Sequence, residues 1–192
     1  MPLLIGDTLS HSNNTIQTQT QIRGEDPASV RSYGLVDSGI IVQTNYLRYD
    51  QRTTWSAPVN GNTVVSDLNI TITPKFATSR ILLTYMVSFE IHHDSIFRLA
   101  RNGSEIGRNA NDGNRWSGFA NTGYDADTDS TPRTNYYVYI DSPATTSTVT
   151  YSLWIGSGGA TARTLYMNRN VGNLGSDTRE TAISFVMAQE IL

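Results

Sequence analysis

From Gly39 onward the chain is a succession of short runs in which apolar residues fall at every second position, each closed by turn-forming residues. The clearest is RILLTYMVSFEI, where Ile81, Leu83, Tyr85, Val87, Phe89 and Ile91 occupy one face of an extended strand. Its other face is also partly apolar, which predicts a central strand. DLNITITP repeats the period with Leu68, Ile70 and Ile72 and is stopped by Pro74. IIVQTNYLRYD, RTTWSA, NYYVYI, TVTYSLWI, RTLYMN and TAISFVMAQEIL are rich in β-branched and aromatic residues. IFRLAR meets Asn102-Gly103, a pair suited to a type I′ hairpin, and SEIG returns from it. RWSGFA reads as a further short strand. Only MAQEI has helical propensity, and it sits within a strand-like alternation. About nine to eleven short strands with polar turns predict an all-β antiparallel sandwich, jelly-roll-like, over residues 39–192. No fixed-period repeat points to a propeller or solenoid.

Residues 1–38 differ. TIQTQTQIRGEDPASVRSYG is polar, with Ile16, Ile22, Val30 and Leu35 as scattered apolar positions. Such a segment buries too little apolar surface to fold alone. It is either a disordered tail or an extended N-terminal arm ordered against a neighbour. The apolar start favours the arm, with Leu3, Leu4, Ile5, Ile16 and Ile22 as partner-binding anchors.

Composition narrows the function classes. A net charge of −3 offers no basic face for phosphates, so nucleic acid is not an expected partner. With no cysteine there is no disulfide, thiolate metal site or thiol nucleophile. No stretch has the ~20 apolar residues of a membrane span. The N-terminus lacks the basic start and long apolar run of a signal peptide. The expectation is therefore a protein made in a cytoplasm and not held in a membrane. Lys75 is the only lysine. The arginine bias suits interface contacts, and a compositional bias of the source genome explains it equally well.

Catalytic and metal patterns are incomplete. Asp125, Asp127 and Asp129 alternate as at the start of an EF-hand loop, but Ser130 and Tyr136 stand where Gly and Glu are required. A solvated acidic loop explains them better. His92 and His93 are adjacent on a strand end and point to opposite faces, and His11 is remote. No GxSxG elbow appears, and no carboxylate pair for glycoside hydrolysis can be assigned. GSGGA (Gly156–Ala160) leads into no helix and reads as a tight turn rather than a phosphate loop. The expectation is a non-enzyme with no cofactor and no metal. Trp116, in the loop-rich GNRWSGFANTGYDADTD, is a candidate exposed contact.

Four segments in order carry a resemblance: NITITPKFATSRILL (Asn69–Leu83), FRLARNGSEIG (Phe97–Gly107), YIDSPATTSTVTYSL (Tyr139–Leu153), and YMNRN with the closing TAISFVMAQEI. Together they resemble a β-sandwich domain recurring in virion proteins of tailed bacteriophages, both capsid decoration (cement) proteins and tail fibres. The similarity covers about Asn69 to Leu192; the region before it departs from the pattern, and the long repetitive shaft of a fibre is missing. The resemblance implies a virion structural protein made in a host bacterium and carried on the outer surface of the particle, commonly as a homotrimer. Its implied partners are the major capsid protein, or another virion component, and further copies of itself. A tail-fibre module contacting host glycans, with Trp116 as the contact, is the alternative. The resemblance carries no catalytic residues.

Overall fold

The computed structural model describes residues 9–11, 14–16, 40–92, 94–110, 116–123, 131–172 and 180–192. Its strands in chain order begin with a small hairpin, β1 (Leu9–His11) and β2 (Asn14–Ile16). Then come β3 (Ile41–Tyr49), β4 (Thr54–Ala57), β5 (Thr63–Val64), β6 (Ile70–Ile72), β7 (Arg80–Glu90), β8 (Ser95–Arg101) and β9 (Ser104–Ile106). The last are β10 (Ala120–Asn121), β11 (Arg133–Asp141), β12 (Val149–Ser157), β13 (Arg163–Met167) and β14 (Ser184–Ile191). One short 3-10 turn, Ser66–Leu68, is the helical content of the described residues.

Two six-stranded sheets pack face to face. The first runs β3-β14-β7, with β11 on the far side of β7 and β13-β4 continuing beyond the end of β14. The second is centred on β8 and β12; β9 and β10 flank β8, and β5 and β6 flank β12. The ladders between the named strands are antiparallel, so the fold is an all-β sandwich of jelly-roll-like build.

The core lies where the period-2 pattern requires it. Ile81, Leu83, Tyr85, Val87 and Phe89 of β7 face Val149, Tyr151, Leu153 and Ile155 of β12, all buried. β7 is central, paired over Arg80–Met86 with β14 and over Ile81–Phe89 with β11. Aromatic edges lock the layers: Phe89 meets Phe97 at 5.4 Å between ring centroids, and Phe97 meets Tyr137 at 5.5 Å. Asn102 and Gly103 take φ of 49° and 78°, as the hairpin between β8 and β9 demands.

One strand differs from expectation. Among its described residues RWSGFA pairs only at its end: the Phe119 amide donates to the Phe97 carbonyl, and the ladder is Ala120–Asn121 against β8. Trp116 and Ser117 lie against Arg98, on the outward face of β8, instead.

Candidate functional site

The residue singled out for exposure, Trp116, is half-buried. Its ring lies under the Arg98 guanidinium, with the Arg98 Cζ 3.9 Å from the ring centroid. Arg98 points outward from β8, yet Trp116 and its neighbours cover it almost completely. The Arg98 Nε donates to the Ser117 carbonyl at 3.2 Å and sits 3.5 Å from Glu105. Burial pulls the Arg98 pKa down from its ordinary value; Glu105 opposes this and Arg108 adds to it.

GSGGA receives this tryptophan. A Cβ on Gly158 would fall 2.7 Å from the Trp116 Cβ, so the indole can approach only because that position is glycine. The sequence pattern alone predicts only a tight turn for these glycines. Gly156, inside β12, carries the missed signal, because a glycine within a strand marks a close approach. Trp116 also lines a hollow of about 370 Å³ with Asn109, Asn121 and Phe119, and a second of about 220 Å³ with Asp94 and Gly158.

The other candidates are not brought together. His92 is half-buried at the end of β7, His11 belongs to β1, and His93 lies outside the described residues, as do Asp125, Asp127 and Asp129. Among the described residues no group of three His, Asp or Glu could hold a metal ion. Nor is any helix there long and apolar enough to cross a membrane. Of the arm residues, Leu3, Leu4, Ile5 and Ile22 fall outside the described residues, and Ile16 closes the β1–β2 hairpin.

The four segments that carry the resemblance prove to be joints of the scaffold. In the first, the Lys75 and Phe76 amides donate to the fully buried Glu190 carboxylate at 2.8 and 3.1 Å. In the second, Asn102 clamps β12: its amide donates to the Thr150 carbonyl and its Oδ1 accepts from the Thr150 amide, both at 2.8 Å. In the third, Asp141 accepts from Arg101 at 2.9 Å and from the Tyr151 hydroxyl at 2.7 Å, which ties β11 to β8 and β12. In the fourth, the Asn168 side chain donates to the Tyr49 and Gln51 carbonyls and accepts from the Ser184 hydroxyl at 2.7 Å. Desolvation, with help from Asp141, pushes the Tyr151 phenol pKa well up, as desolvation does for Tyr85.

The outward face of the first sheet carries a further apolar surface. Tyr136, Val138 and Ile140 of β11 are 64%, 59% and 51% exposed, and Tyr46 of β3 is 57% exposed. Between them Leu82 and Met86 of β7, and Phe185 and Met187 of β14, are half-buried. The register places Tyr136 beside Met86 and Phe185, and Val138 beside Thr84, Met187 and Tyr46. Phe185 lies 5.5 Å from Tyr46 and 6.5 Å from Tyr136 between ring centroids, which makes the face continuous. The signal was present in NYYVYI, which is apolar at successive positions and so on both faces.

No protein-family model matches the chain, and no curated protein matches it.

Proposed function

We propose that this chain is a structural protein of a tailed-bacteriophage virion: a capsid decoration (cement) protein that binds the outside of the shell as a trimer and stabilises it. The observation that carries this reading is the place of the four resembling segments. Each is a joint that fixes strand ends, through Glu190, Asn102, Asp141 and Asn168. These segments serve architecture in this chain, which supports reading its function in its surfaces.

The mechanism is geometric. A closed trimer suits a point where three shell subunits meet. Arms of residues 1–38, anchored through Leu3, Leu4, Ile5, Ile16 and Ile22, would reach the major capsid protein. Tethering several weak contacts raises effective affinity. The test is the copy number of this chain in purified particles, quantified by mass spectrometry against the major capsid protein. A number of the same order as the capsid protein is expected. A few to a few tens of copies would overturn the cement role in favour of a tail component.

The hollow beside Trp116, with Asn109 and Asn121 on its walls, favours one second reading, a tail module that binds host glycans. Stacking and amide hydrogen bonds are the contacts a neutral sugar uses. A glycan array with the purified protein tests it, and a blank array sinks it.

A further inference from the structure

We infer that the outward face of the β3-β14-β7-β11 sheet is covered by other copies of this chain, and that it forms the core of a closed homo-oligomer. The inference rests on the trimer in the reading above and names its surface.

Soluble sheets ordinarily pair an apolar inner face with a polar outer one. Here the outer face is apolar or aromatic at eight of the twelve positions on the rungs of Tyr136, Val138 and Ile140, with Arg48, Thr84, Gln189 and Thr44 as the exceptions. With strands about 4.8 Å apart and about 3.3 Å per residue, the three rungs cover roughly 15 by 13 Å, or about 200 Å². An ordinary monomer can carry a patch of that size, so what marks this one is its aromatic and aliphatic make-up beside an open strand edge. A standard interface takes roughly 800 Å² from each partner, so this patch fits its core, with a polar rim around it.

Charge argues for a second copy as the occupant. Across the rungs of Tyr136, Val138 and Ile140 the only ionic side chain is Arg48 at one corner, and it lies 3.5 Å from Asp50. Copies of a nearly neutral surface meet without opposing like charges, and nothing on it selects a charged foreign partner. The edge argues the same way. Among the described residues β11 pairs only with β7, and Thr134–Ile140 carries no charge and no proline. Soluble monomers blunt such an edge with charge, proline or a covering segment. Residues 1–38 offer only scattered apolar positions with which to cover it.

The test uses the full chain with no particle present, so its outcome is separate from that of the copy-number experiment. Light scattering coupled to size exclusion is expected to give three times the mass of one chain. Val138→Glu is expected to run as a single chain with unchanged circular dichroism. A wild-type protein that is a single chain at every concentration overturns the inference, and leaves particle binding to be judged by copy number. A Val138→Glu protein that keeps the wild-type mass overturns it too.

Should the glutamate prevent folding, Val138→Cys decides. The chain has no native cysteine, so this thiol is a single reporter. It is expected to resist a maleimide in the oligomer. A control thiol at Thr146→Cys, in the exposed loop after β11, is expected to react at once. Equal reactivity at the two positions would place position 138 in solvent and overturn the inference.

Discussion

Tyr85 and Tyr151 are both wholly buried, on β7 and β12, and they differ in one contact. The Tyr151 hydroxyl donates to Asp141, whereas the Tyr85 hydroxyl has no hydrogen-bond partner among the described residues. A buried polar group left unpaired costs about 1–3 kcal/mol, and a hydrogen bond to a charged group contributes about 1.5–3 kcal/mol. The same substitution should therefore change stability in opposite directions. Tyr85→Phe should stabilise by about 1 kcal/mol, and Tyr151→Phe should destabilise by about 2 kcal/mol. Urea unfolding of both variants checks this; equal losses would mean that Tyr85 has a partner after all. Asn168 is a further case. It is wholly buried with φ of 58°, and its side chain serves β3 and β14 while its amide donates to Ser88 of β7. Asn168→Ala should cost about 3 kcal/mol, because it strips several buried groups of partners at once.

At the scale of elements, two glycines separate backbone conformation from space. Gly103 has φ of 78° and open surroundings, so Gly103→Ala meets only the left-handed penalty, about 1 kcal/mol. Gly156 has ordinary strand geometry, but a Cβ there would run into the Gly61 carbonyl oxygen and approach Trp116. Gly156→Ala should cost about 3 kcal/mol and loosen the Trp116 cover, which intrinsic fluorescence would register as a red shift. An unshifted spectrum with small loss would show that β12 can yield there. The first of these elements was legible in the sequence and the second was not. Asn102-Gly103 is a local signal, as is the alternation in β7, because turn chemistry and strand period are set by neighbours in the chain. The seat of Trp116 joins Gly158 to a residue about forty positions away, and no local pattern announces such a contact. β5 and β10, of two residues each, are too short to show any period. The outer face is hidden for another reason: a central position in the sheet accounts for the apolar second side of RILLTYMVSFEI, which is correct for β7 and masks that β11, at the edge, shares the pattern.

For the whole molecule, the buried phenols make the sandwich sensitive to alkali. Burial raises the pKa of Tyr85 and Tyr151 well above the ordinary 10 and pushes Tyr137 up to about 12. Below pH 10 both folded and unfolded chains keep these protons, so the three groups add no slope. Above it the unfolded chain releases them while the folded chain holds them. The folded state then binds more protons, and stability must fall as pH rises. Each phenol contributes a slope of up to about 1.4 kcal/mol per pH unit, so the three together approach about 4 kcal/mol per unit. For Tyr137 the loss ends near pH 12, where its folded form also ionises; for the other two it continues higher. Tyr137→Phe should therefore remove about a third of the slope between pH 10 and 12, and none of the stability change below pH 10. Urea unfolding at a series of pH values from about 9 to about 12 measures this directly. Flat stability across that window would mean that water reaches these phenols between the two sheets, and that the sandwich is looser than its packing implies.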